Sequence, residues 1–410
     1  MSEWQKVNLG DCCEITSSKR IFFSEYVESG IPFYRSKEII EKGKGEEISH
    51  PLYISKEKYD EIKGKYGVPQ KGDLLLTAVG SLGIPFVVKD DSPFYFKDGN
   101  LVWLKHFQDI DPIFLYYWIK SENGYNALYN IAIGSAQKAL TISAIKGYEI
   151  PLPPLQTQHR IANILSRYDS LIENYQKQIK LLEEAAQRLY KEWFVDLHFP
   201  GYENGMIVDG VPEGWEKKKL CELFSFVRGK SYTSKELSDE GTIMVNLKNI
   251  QSFGGYKSDV EKHFIGTFKE EQTLMKGDLI MGVTDMTQER RLVGSVALIP
   301  DFKETATFSM DLIKLISFKL PNIYLYCAMR YGDVSRQIAP LANGVNVLHL
   351  KPEAISNIEM VVASDSIIEK FVSYTSKTIE NILSLQSQLR LLTEARDRLL
   401  PKLMSGEITV

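Results

Sequence analysis

The sequence is short of the features that mark several common protein classes. It has four cysteines among 410 residues, and none has the CxxC spacing of a zinc or redox site. A disulfide-stapled secreted domain is therefore excluded. We expect buried or inert thiols in a reducing compartment at Cys12, Cys13, Cys221 and Cys327.

Long apolar runs and an excess of positive charge are also missing. No stretch approaches the ~20 apolar residues of a membrane-spanning helix, and residues 1–6 lack the apolar core of a secretory signal. These absences predict a cytoplasmic protein without membrane contact. Because the formal net charge is −4, any affinity for DNA must come from local clusters of Lys and Arg.

Catalytic motifs are absent as well. The Gly-Lys-Ser at 229–231 resembles the end of a phosphate-binding loop, but Phe224 stands where the first glycine belongs. The Asp-Pro-Ile-Phe at 111–114 resembles the adenine-methyltransferase motif without its second proline, so a helix start is favoured. The six histidines are scattered. We therefore predict no catalytic residue and no metal site.

The most informative positive feature is an internal duplication. The Trp-Gln-Lys-Val-Asn-Leu at 4–9 reappears as Trp-Glu-Lys-Lys-Lys-Leu at 215–220. Further matched segments are 71–74 with 276–279, 113–116 with 323–326, and 181–185 with 391–395. A period near 210 residues is too long for a solenoid repeat, so a duplicated domain is predicted.

Each half begins with a mixed α/β region, in which short β-like runs are separated by Gly, Pro and Asp. The predicted strands are 71–77, 84–89, 100–105, 278–283, 294–299 and 311–316. Helices are predicted after Pro112 and Pro321, because proline is well placed in a first helical turn.

A long helix is predicted to follow each α/β region, because apolar residues alternate there at spacings of four and three, as in helices that pack along a seam. The first seam contains Ile161, Leu165, Tyr168, Ile172, Tyr175, Ile179, Leu182, Ala186, Leu189 and Trp193. The second contains Phe371, Thr375, Thr378, Ile382, Leu385, Leu389, Leu392, Arg396, Leu399 and Leu403. The Ile, Leu and Trp members are the candidate seam and partner-docking residues.

The linker between the halves indicates how the helices run. Each seam covers 33 residues, or roughly 50 Å of helix, and a 17-residue linker could return along it only when nearly fully stretched. We therefore predict antiparallel helices, one domain at each end, and a pseudo-twofold α/β (α+β) fold. The predicted segments are domain 1–153, helix 154–196, linker 197–213, domain 214–361 and helix 362–404. Pro401 is predicted to end or kink the second helix.

Basic and amide-bearing residues gather in loops of both α/β regions. Lys and Arg contact phosphates, whereas Arg, Asn and Gln can pair with base edges; solvated loop residues are the alternative. The candidate DNA-binding residues are Lys19, Arg20, Arg35, Lys37, Ser81, Gln137, Lys138, Arg228, Lys230, Asn246, Lys248, Thr284, Arg290, Arg291, Asn343 and Asn346. The loop at 78–81 corresponds to 283–291, five residues longer, as expected when two copies of a scaffold bind different ligands.

Four sequence motifs carry a resemblance to a known family. They are Ile-Pro-Leu-Pro-Pro-Leu-Gln-Thr-Gln-His-Arg-Ile at 150–161, Trp-Phe-Val-Asp at 193–196 followed by Phe-Pro-Gly at 199–201, Val-Pro-Glu-Gly-Trp at 211–215, and Leu-Leu-Pro-Lys-Leu-Met-Ser-Gly-Glu-Ile at 399–408. In this order, around two variable regions, they resemble the specificity subunits of type I restriction-modification enzymes. Residues 361–364 depart from the pattern by lacking the prolines found at 151–154.

The resemblance implies that each α/β region is a target recognition domain for half of a bipartite DNA sequence. It also implies that the long helices set the spacing and dock two methyltransferase subunits, which would use S-adenosylmethionine to methylate adenine N6. A motor-nuclease (restriction) subunit would join through the complex and use ATP and Mg²⁺. This chain would bind no cofactor and catalyse nothing. A two-domain protein–protein scaffold is the alternative, and affinity for double-stranded DNA would separate the two.

Overall fold

A computed structural model describes residues 4–45, 48–134, 138–208, 210–258 and 262–410. The chain divides into two compact units. Unit 1 is Met1–Glu173 with Glu394–Val410, and unit 2 is Asn174–Thr393. Each unit contains one α/β domain and a portion of both long helices.

The domain of unit 1 is built on two four-stranded sheets. Its strands are β1 (Gln5–Asn8), β2 (Glu14–Thr16), β3 (Tyr26–Val27), β4 (Ile31–Tyr34), β5 (Leu52–Ile54), β6 (Leu74–Thr77), β7 (Pro85–Val87), β8 (Tyr95–Phe96), β9 (Leu101–Lys105) and β10 (Glu149–Leu152). One sheet has the antiparallel order β2-β9-β6-β7. The other has the order β3-β5-β4-β8, in which only β4 and β8 are parallel. Strand β1 pairs antiparallel with β10 and so joins the two ends of the domain.

Short helices complete this domain. They are α1 (Leu9–Cys12), α2 (Ser36–Gly43), α3 (Lys56–Tyr66), α4 (Pro112–Lys120), α5 (Glu122–Ile131) and α6 (Ile142–Lys146). The carboxylate of Asp111 accepts hydrogen bonds from the amides of Ile113 and Phe114 at 2.7 and 3.0 Å, which caps α4. The helix start predicted from this motif is confirmed.

The domain of unit 2 repeats this architecture. Its strands are β11 (Ile207–Val208), β12 (Val211–Pro212), β13 (Glu216–Lys219), β14 (Phe224–Arg228), β15 (Leu237–Ser238), β16 (Thr242–Val245), β17 (Lys262–Phe264), β18 (Leu279–Gly282), β19 (Thr284–Asp285), β20 (Val296–Leu298), β21 (Ala306–Phe308), β22 (Leu312–Ser317), β23 (Leu348–His349) and β24 (Glu359–Val362). The sheet orders are β14-β22-β18-β20 and β15-β17-β16-β21, and β13 pairs with β24. Its helices are α8 (Leu220–Leu223), α9 (Asn322–Tyr331) and α10 (Val334–Ile338).

Even the strand register is shared between the two domains. Glu14 lies opposite Lys105 in unit 1, and Ser225 lies opposite Ile316 in unit 2. The predicted duplication is therefore confirmed. All six predicted strands and both predicted Pro-initiated helices are present, with ends shifted by at most three residues.

Two long helices complete the fold. The first is α7 (Leu155–Tyr190), which continues as a π-helical turn over Lys191–Val195, and the second is α11 (Asp365–Met404). Within unit 1, Asp169 of α7 contacts Arg396 of α11. Within unit 2, the ring of Trp193 lies 5.8 Å from that of Phe371. Early residues of one helix thus meet late residues of the other, which confirms the antiparallel prediction.

Of the two outcomes predicted for Pro401, the end of the helix is wrong, because α11 continues to Met404. A hydrogen bond from Ser405 N to Pro401 O, 2.9 Å long, closes the turn beyond the proline. The last turn is also held by burial, since Leu403 and Met404 pack into the core of unit 1. Burial of two apolar side chains thus favours a final turn that proline alone would disfavour.

The buried faces of the two helices differ. On α7 the buried seam residues are Ile161, Leu165, Ile172, Ile179, Ala186 and Trp193, whereas Leu182 and Leu189 are half-buried. On α11 the buried seam residues are Phe371, Thr375, Ile382, Leu389 and Leu403, whereas Leu385, Leu392 and Leu399 are half-buried. Ile379, Leu383 and Gln386 are buried as well. Between 371 and 386 the buried positions follow the 3.6-residue period of a helix packed on a globular core.

The long helices are part of the domain cores. In unit 1, Ile161 and Leu165 of α7 belong to the same buried cluster as Phe114 and Leu115 of α4. Leu403 of α11 belongs to it too. This shared core fixes the domain to its portion of both helices.

Candidate nucleic-acid interface

In unit 1, two of the predicted basic residues line one groove. Arg20 and Arg35 line a groove of about 580 Å³, together with Lys97 and a single acidic residue, Asp98. Arg20 Nε donates a 2.9 Å hydrogen bond to Asp98 Oδ2, yet 69% of the Arg20 side chain is exposed. The groove therefore presents more positive than negative charge, which suits a phosphate-bearing ligand.

The second arginine of this groove is held by a buried carboxylate. Arg35 immediately precedes α2, and its Nη2 lies 2.5 Å from Oε1 of Glu38, which is almost fully buried. Burial alone would raise the pKa of Glu38. The Arg35 guanidinium and backbone amides that bond to the carboxylate instead hold this pKa below its ordinary value. The pair fixes the direction of the Arg35 side chain, 38% of which remains exposed.

Unit 2 builds the equivalent turn without charge. The backbone amide of Asn246 donates to Asn249 Oδ1 at 2.9 Å, as that of Arg35 does to Glu38. The side chain of Asn246 is buried; its Oδ1 accepts from Lys248 N at 3.0 Å and its Nδ2 donates to Met244 O at 3.3 Å. This burial speaks against the expected contact between Asn246 and a base edge.

The longer loop of unit 2 is organised by a buried aspartate. Strands β18 and β20 are separated by residues 283–295, compared with 78–84 in unit 1. Asp285 is fully buried, and its carboxylate accepts hydrogen bonds from Thr287 N, Thr287 Oγ1 and Leu292 N at 2.8 to 2.9 Å. Its neighbour Thr284 is also buried, in the two-stranded pair of β19 and β23, so its side chain does not face a ligand as expected.

This loop presents the two predicted arginines. Arg291 Nη2 lies 2.6 Å from Oε2 of Glu289, and 49% of the Arg291 side chain is exposed. Arg290 has a left-handed backbone with φ of 54°, and its buried Nε has no hydrogen-bond partner among the described residues. Backbone strain of this kind costs ~1–3 kcal/mol and concentrates at functional sites.

A hydrogen bond joins this loop to the second predicted loop of unit 2. Gln288 Nε2 donates to the carbonyl oxygen of Val345 at 2.8 Å. Asn343 and Asn346, on either side of Val345, are exposed. The structure thus connects the arginine-bearing and asparagine-bearing loops, which are separated by about 50 residues in the sequence and are suited to base-edge hydrogen bonds.

The other predicted DNA-binding residues are distributed over both units. Lys19, Lys37, Ser81 and Lys248 are exposed. Lys138 folds back, with its Nζ 3.6 Å from the ring centre of Tyr129. Arg228 Nη2 lies 2.6 Å from Glu353 Oε1, and Lys230 forms a backbone bridge to Ser309. Gln137 lies outside the described residues. DNA contact by these residues stays a prediction.

Sequence reasoning missed the exposed apolar residues beside these loops. Phe22 and Phe23, in unit 1, are 61% and 87% exposed and line the same groove as Arg20. In unit 2, Met286 and Val345 are 76% and 88% exposed. Two adjacent phenylalanines, one residue beyond a basic pair, were the available signal, because such residues are normally buried.

Each domain is also pinned to the long helices by a polar contact. In unit 1, Tyr117 Oη donates to Asp169 Oδ2 at 2.7 Å, and Arg396 Nη1 donates to Asp169 Oδ1 at 2.8 Å. Burial and the neighbouring carboxylate raise the pKa of Tyr117. In unit 2, Arg330 donates two hydrogen bonds to Glu183, at 2.8 and 2.9 Å. Such paired contacts fix the orientation of each domain on its helices.

The described residues contain no group of three or more His, Cys, Asp or Glu side chains that could hold a metal ion. No helix among them is long and apolar enough to cross a membrane. Cys12, Cys13 and Cys327 are buried, and burial raises the pKa of the Cys13 and Cys327 thiols to about 12. Cys221 is exposed.

Comparisons with known proteins agree with the architecture. Residues 1–184 match the family model described as the type I restriction modification DNA specificity domain. The MjaIX specificity subunit of Methanocaldococcus jannaschii is 28% identical over 83% of this chain and 78% of its own length. A putative type I specificity subunit of Haemophilus influenzae is 34% identical over 45% of each chain. The crystal structure of a type I S subunit from M. genitalium superposes with a TM-score of 0.61 at 18% identity, covering 98% of this chain and 96% of that one.

The duplicated α/β domain, with two long antiparallel helices, therefore shares the fold of the solved type I S subunit. Residues 1–184 match the type I specificity domain, and the resemblance carried by the sequence motifs is confirmed.

Proposed function

We propose that this chain confers DNA sequence specificity on a type I restriction-modification complex. The domain of unit 1 reads one half of a bipartite target, and the domain of unit 2 reads the other. Arg20 and Arg35 serve the first half-site, and Arg290 and Arg291 serve the second. The chain contributes recognition, while partner subunits carry out methylation with S-adenosylmethionine and ATP-driven translocation and cleavage.

The observation that carries this proposal is that the two domains share one fold but differ in their loops. Sheet order and register are repeated between the domains. The turn that bears Arg35 in unit 1 bears Asn246 in unit 2, and the loop after β18 is six residues longer than the loop after β6. A repeated fold with divergent polar loops is suited to two different half-sites of one ligand.

The long helices are proposed to dock two methyltransferase subunits, through which the motor-nuclease subunit joins. Leu181 and Leu391 support this part of the proposal, because their side chains are 55% and 51% exposed on α7 and α11. Exposed leucines on a helix surface are available to bury apolar area against a partner.

A binding measurement tests the DNA half of this proposal. The full chain, with its methyltransferase partner, would be titrated against a pool of random 40-base-pair duplexes at several salt concentrations. We expect enrichment of one bipartite sequence and a steep loss of affinity as salt rises, because phosphate contacts release counterions. If the chain binds its partner protein but has no affinity for duplex DNA, the alternative of a two-domain protein–protein scaffold would be favoured instead.

A further inference from the structure

We propose that Phe23, supported by Phe22, is a wedge that inserts against a base step of the half-site read by the domain of unit 1. The inference rests on the proposed function and deepens it. Under this proposal, the domain of unit 1 selects its half-site partly by how easily the bases unstack. The equivalent turn of unit 2 lacks the phenylalanines and makes no such selection.

The wedge residues are exposed without a structural need. Phe23 is 87% exposed, and its ring makes only an edge contact, 5.6 Å from Tyr26, among the described ring pairs. Phe22 is 61% exposed. Leaving two large aromatic side chains in water forgoes the stabilisation that burial would give, so an intermolecular contact is the better explanation.

Unit 2 shows that the turn itself does not require phenylalanine. The 3₁₀ turn Phe23–Glu25 corresponds to Ser234–Glu236. In the first turn the amide of Phe22 donates to Glu25 Oε2 at 2.8 Å, and in the second the amide of Thr233 donates to Glu236 Oε2 at the same distance. The same backbone forms with Thr and Ser in place of the two phenylalanines.

The turn is also rigid enough to present a wedge. Glu25 binds the Phe22 amide, and Lys58 Nζ lies 3.0 Å from Glu25 Oε1, so the turn is tied to α3. A side chain held in place before binding loses little conformational entropy when it inserts.

The charges around the two rings select duplex DNA as the occupant. Arg20, Arg35 and Lys97 line the same groove as Phe22 and Phe23, against one acidic lining residue, Asp98. Cations in the same groove as an exposed aromatic side chain match a base step and its phosphates. Phenylalanine is among the residues that proteins insert between base steps to unstack and kink the duplex.

The experiment compares the full-length wild type with Phe23→Ala, Phe23→Trp and the matched control Ser234→Ala. The probe is the duplex selected by the wild type from the random 40-base-pair pool, with 2-aminopurine placed at successive positions of half-site 1. We expect wild-type binding to raise 2-aminopurine fluorescence at one step. Phe23→Ala should abolish this rise and weaken binding by about fivefold or more, while Phe23→Trp and Ser234→Ala retain both.

A mismatched duplex separates a wedge from a simple apolar contact. A mismatch at the identified step removes part of the unstacking cost, so the wild type should bind it more tightly and Phe23→Ala should gain nothing.

Equal affinities of wild type and Phe23→Ala for the matched duplex would overturn the wedge and leave the proposed function intact. Loss of methyltransferase binding by Phe23→Ala at unchanged DNA affinity would also overturn it, by making the patch a protein surface. Failure of the wild type to select any sequence would overturn the proposed function itself.

Discussion

One pair of residues shows how the same turn has been adapted differently in the two domains. Arg35 and Glu38 form an ion pair at the start of α2, with Glu38 almost fully buried. Asn246 and Asn249 form the matching turn in unit 2 with neutral side chains. The charged version leaves a guanidinium partly exposed beside the groove, whereas the neutral version uses its amides inside the fold.

This difference predicts that the ion pair of unit 1 contributes to the free energy of unfolding and that acid removes this contribution. The neutral turn of unit 2 makes no such contribution. The folded-state pKa of Glu38 lies below the ordinary value of 4.5, so its stabilising effect is present above pH 4.5 and is lost as the pH falls through the folded-state pKa. Glu38→Gln should lower the free energy of unfolding at pH 7 and flatten its decline on acidification. Urea unfolding between pH 7 and pH 3 measures both effects, with exposed Asp60→Asn as control; identical pH profiles for wild type and Glu38→Gln would contradict the assignment.

Arg291 provides a test of base contact at the second half-site. Its side chain is 49% exposed on the loop that Asp285 organises. Arg291→Ala should weaken binding to the selected duplex by ~1–3 kcal/mol and relax one position of half-site 2. The unaltered half-site 1 is the internal control. If both affinity and the methylated sequence stay as in the wild type, Arg291 does not read a base.

The long helices can be tested as elements through two nearby residues of α7. Ile179 is 7% exposed and Leu181 is 55% exposed. Ile179→Ala should lower the free energy of unfolding by ~2–5 kcal/mol, because it leaves a cavity in place of a buried side chain. Leu181→Ala should change the free energy of unfolding by no more than about 0.5 kcal/mol. The same variant tests whether the exposed face of α7 binds a partner subunit. Chemical denaturation compares them, and equal stabilities for both variants would show that no packed seam exists there.

The sequence was informative about elements that depend on local patterns. Repeats, turn residues and periodicity predict the duplication, the strands beside Lys-Gly-Asp turns and the helix capped by Asp111. The length of the linker predicts the antiparallel helices. The departure of α11 from heptad packing was not predictable, because burial of Ile379 and Gln386 depends on the domain packed against them. The helix end predicted at Pro401 failed for a similar reason, because burial of Leu403 and Met404 extends α11 beyond the proline.

The candidate site was less predictable than the fold. A polar side chain in a loop can cap a turn or face a ligand, and the residue type is the same in both cases. Asn246 and Thr284 are buried, whereas Asn343 and Asn346 are exposed. Only tertiary structure distinguishes these outcomes, and it also identifies Phe23 and the link between Gln288 and Val345.

At the scale of the whole molecule, we propose that the long helices set the gap between the two half-sites of the DNA target. Tyr117 holds the domain of unit 1 to Asp169 of α7, which in turn binds Arg396 of α11. Arg330 holds the domain of unit 2 to Glu183 of α7. Segments between these contacts can therefore be lengthened without altering either domain core. The boundaries of the two compact units, at 173/174 and 393/394, are the natural positions.

The most direct measurement is the methylated DNA sequence in cells that express a lengthened chain with its methyltransferase partner. One heptad inserted at each boundary adds ~10 Å to both helices and nearly preserves their rotation. We predict that the gap between half-sites grows by about three base pairs while the bases of both half-sites stay the same. A methylating variant with an unchanged gap, or with altered half-site bases, would contradict the account.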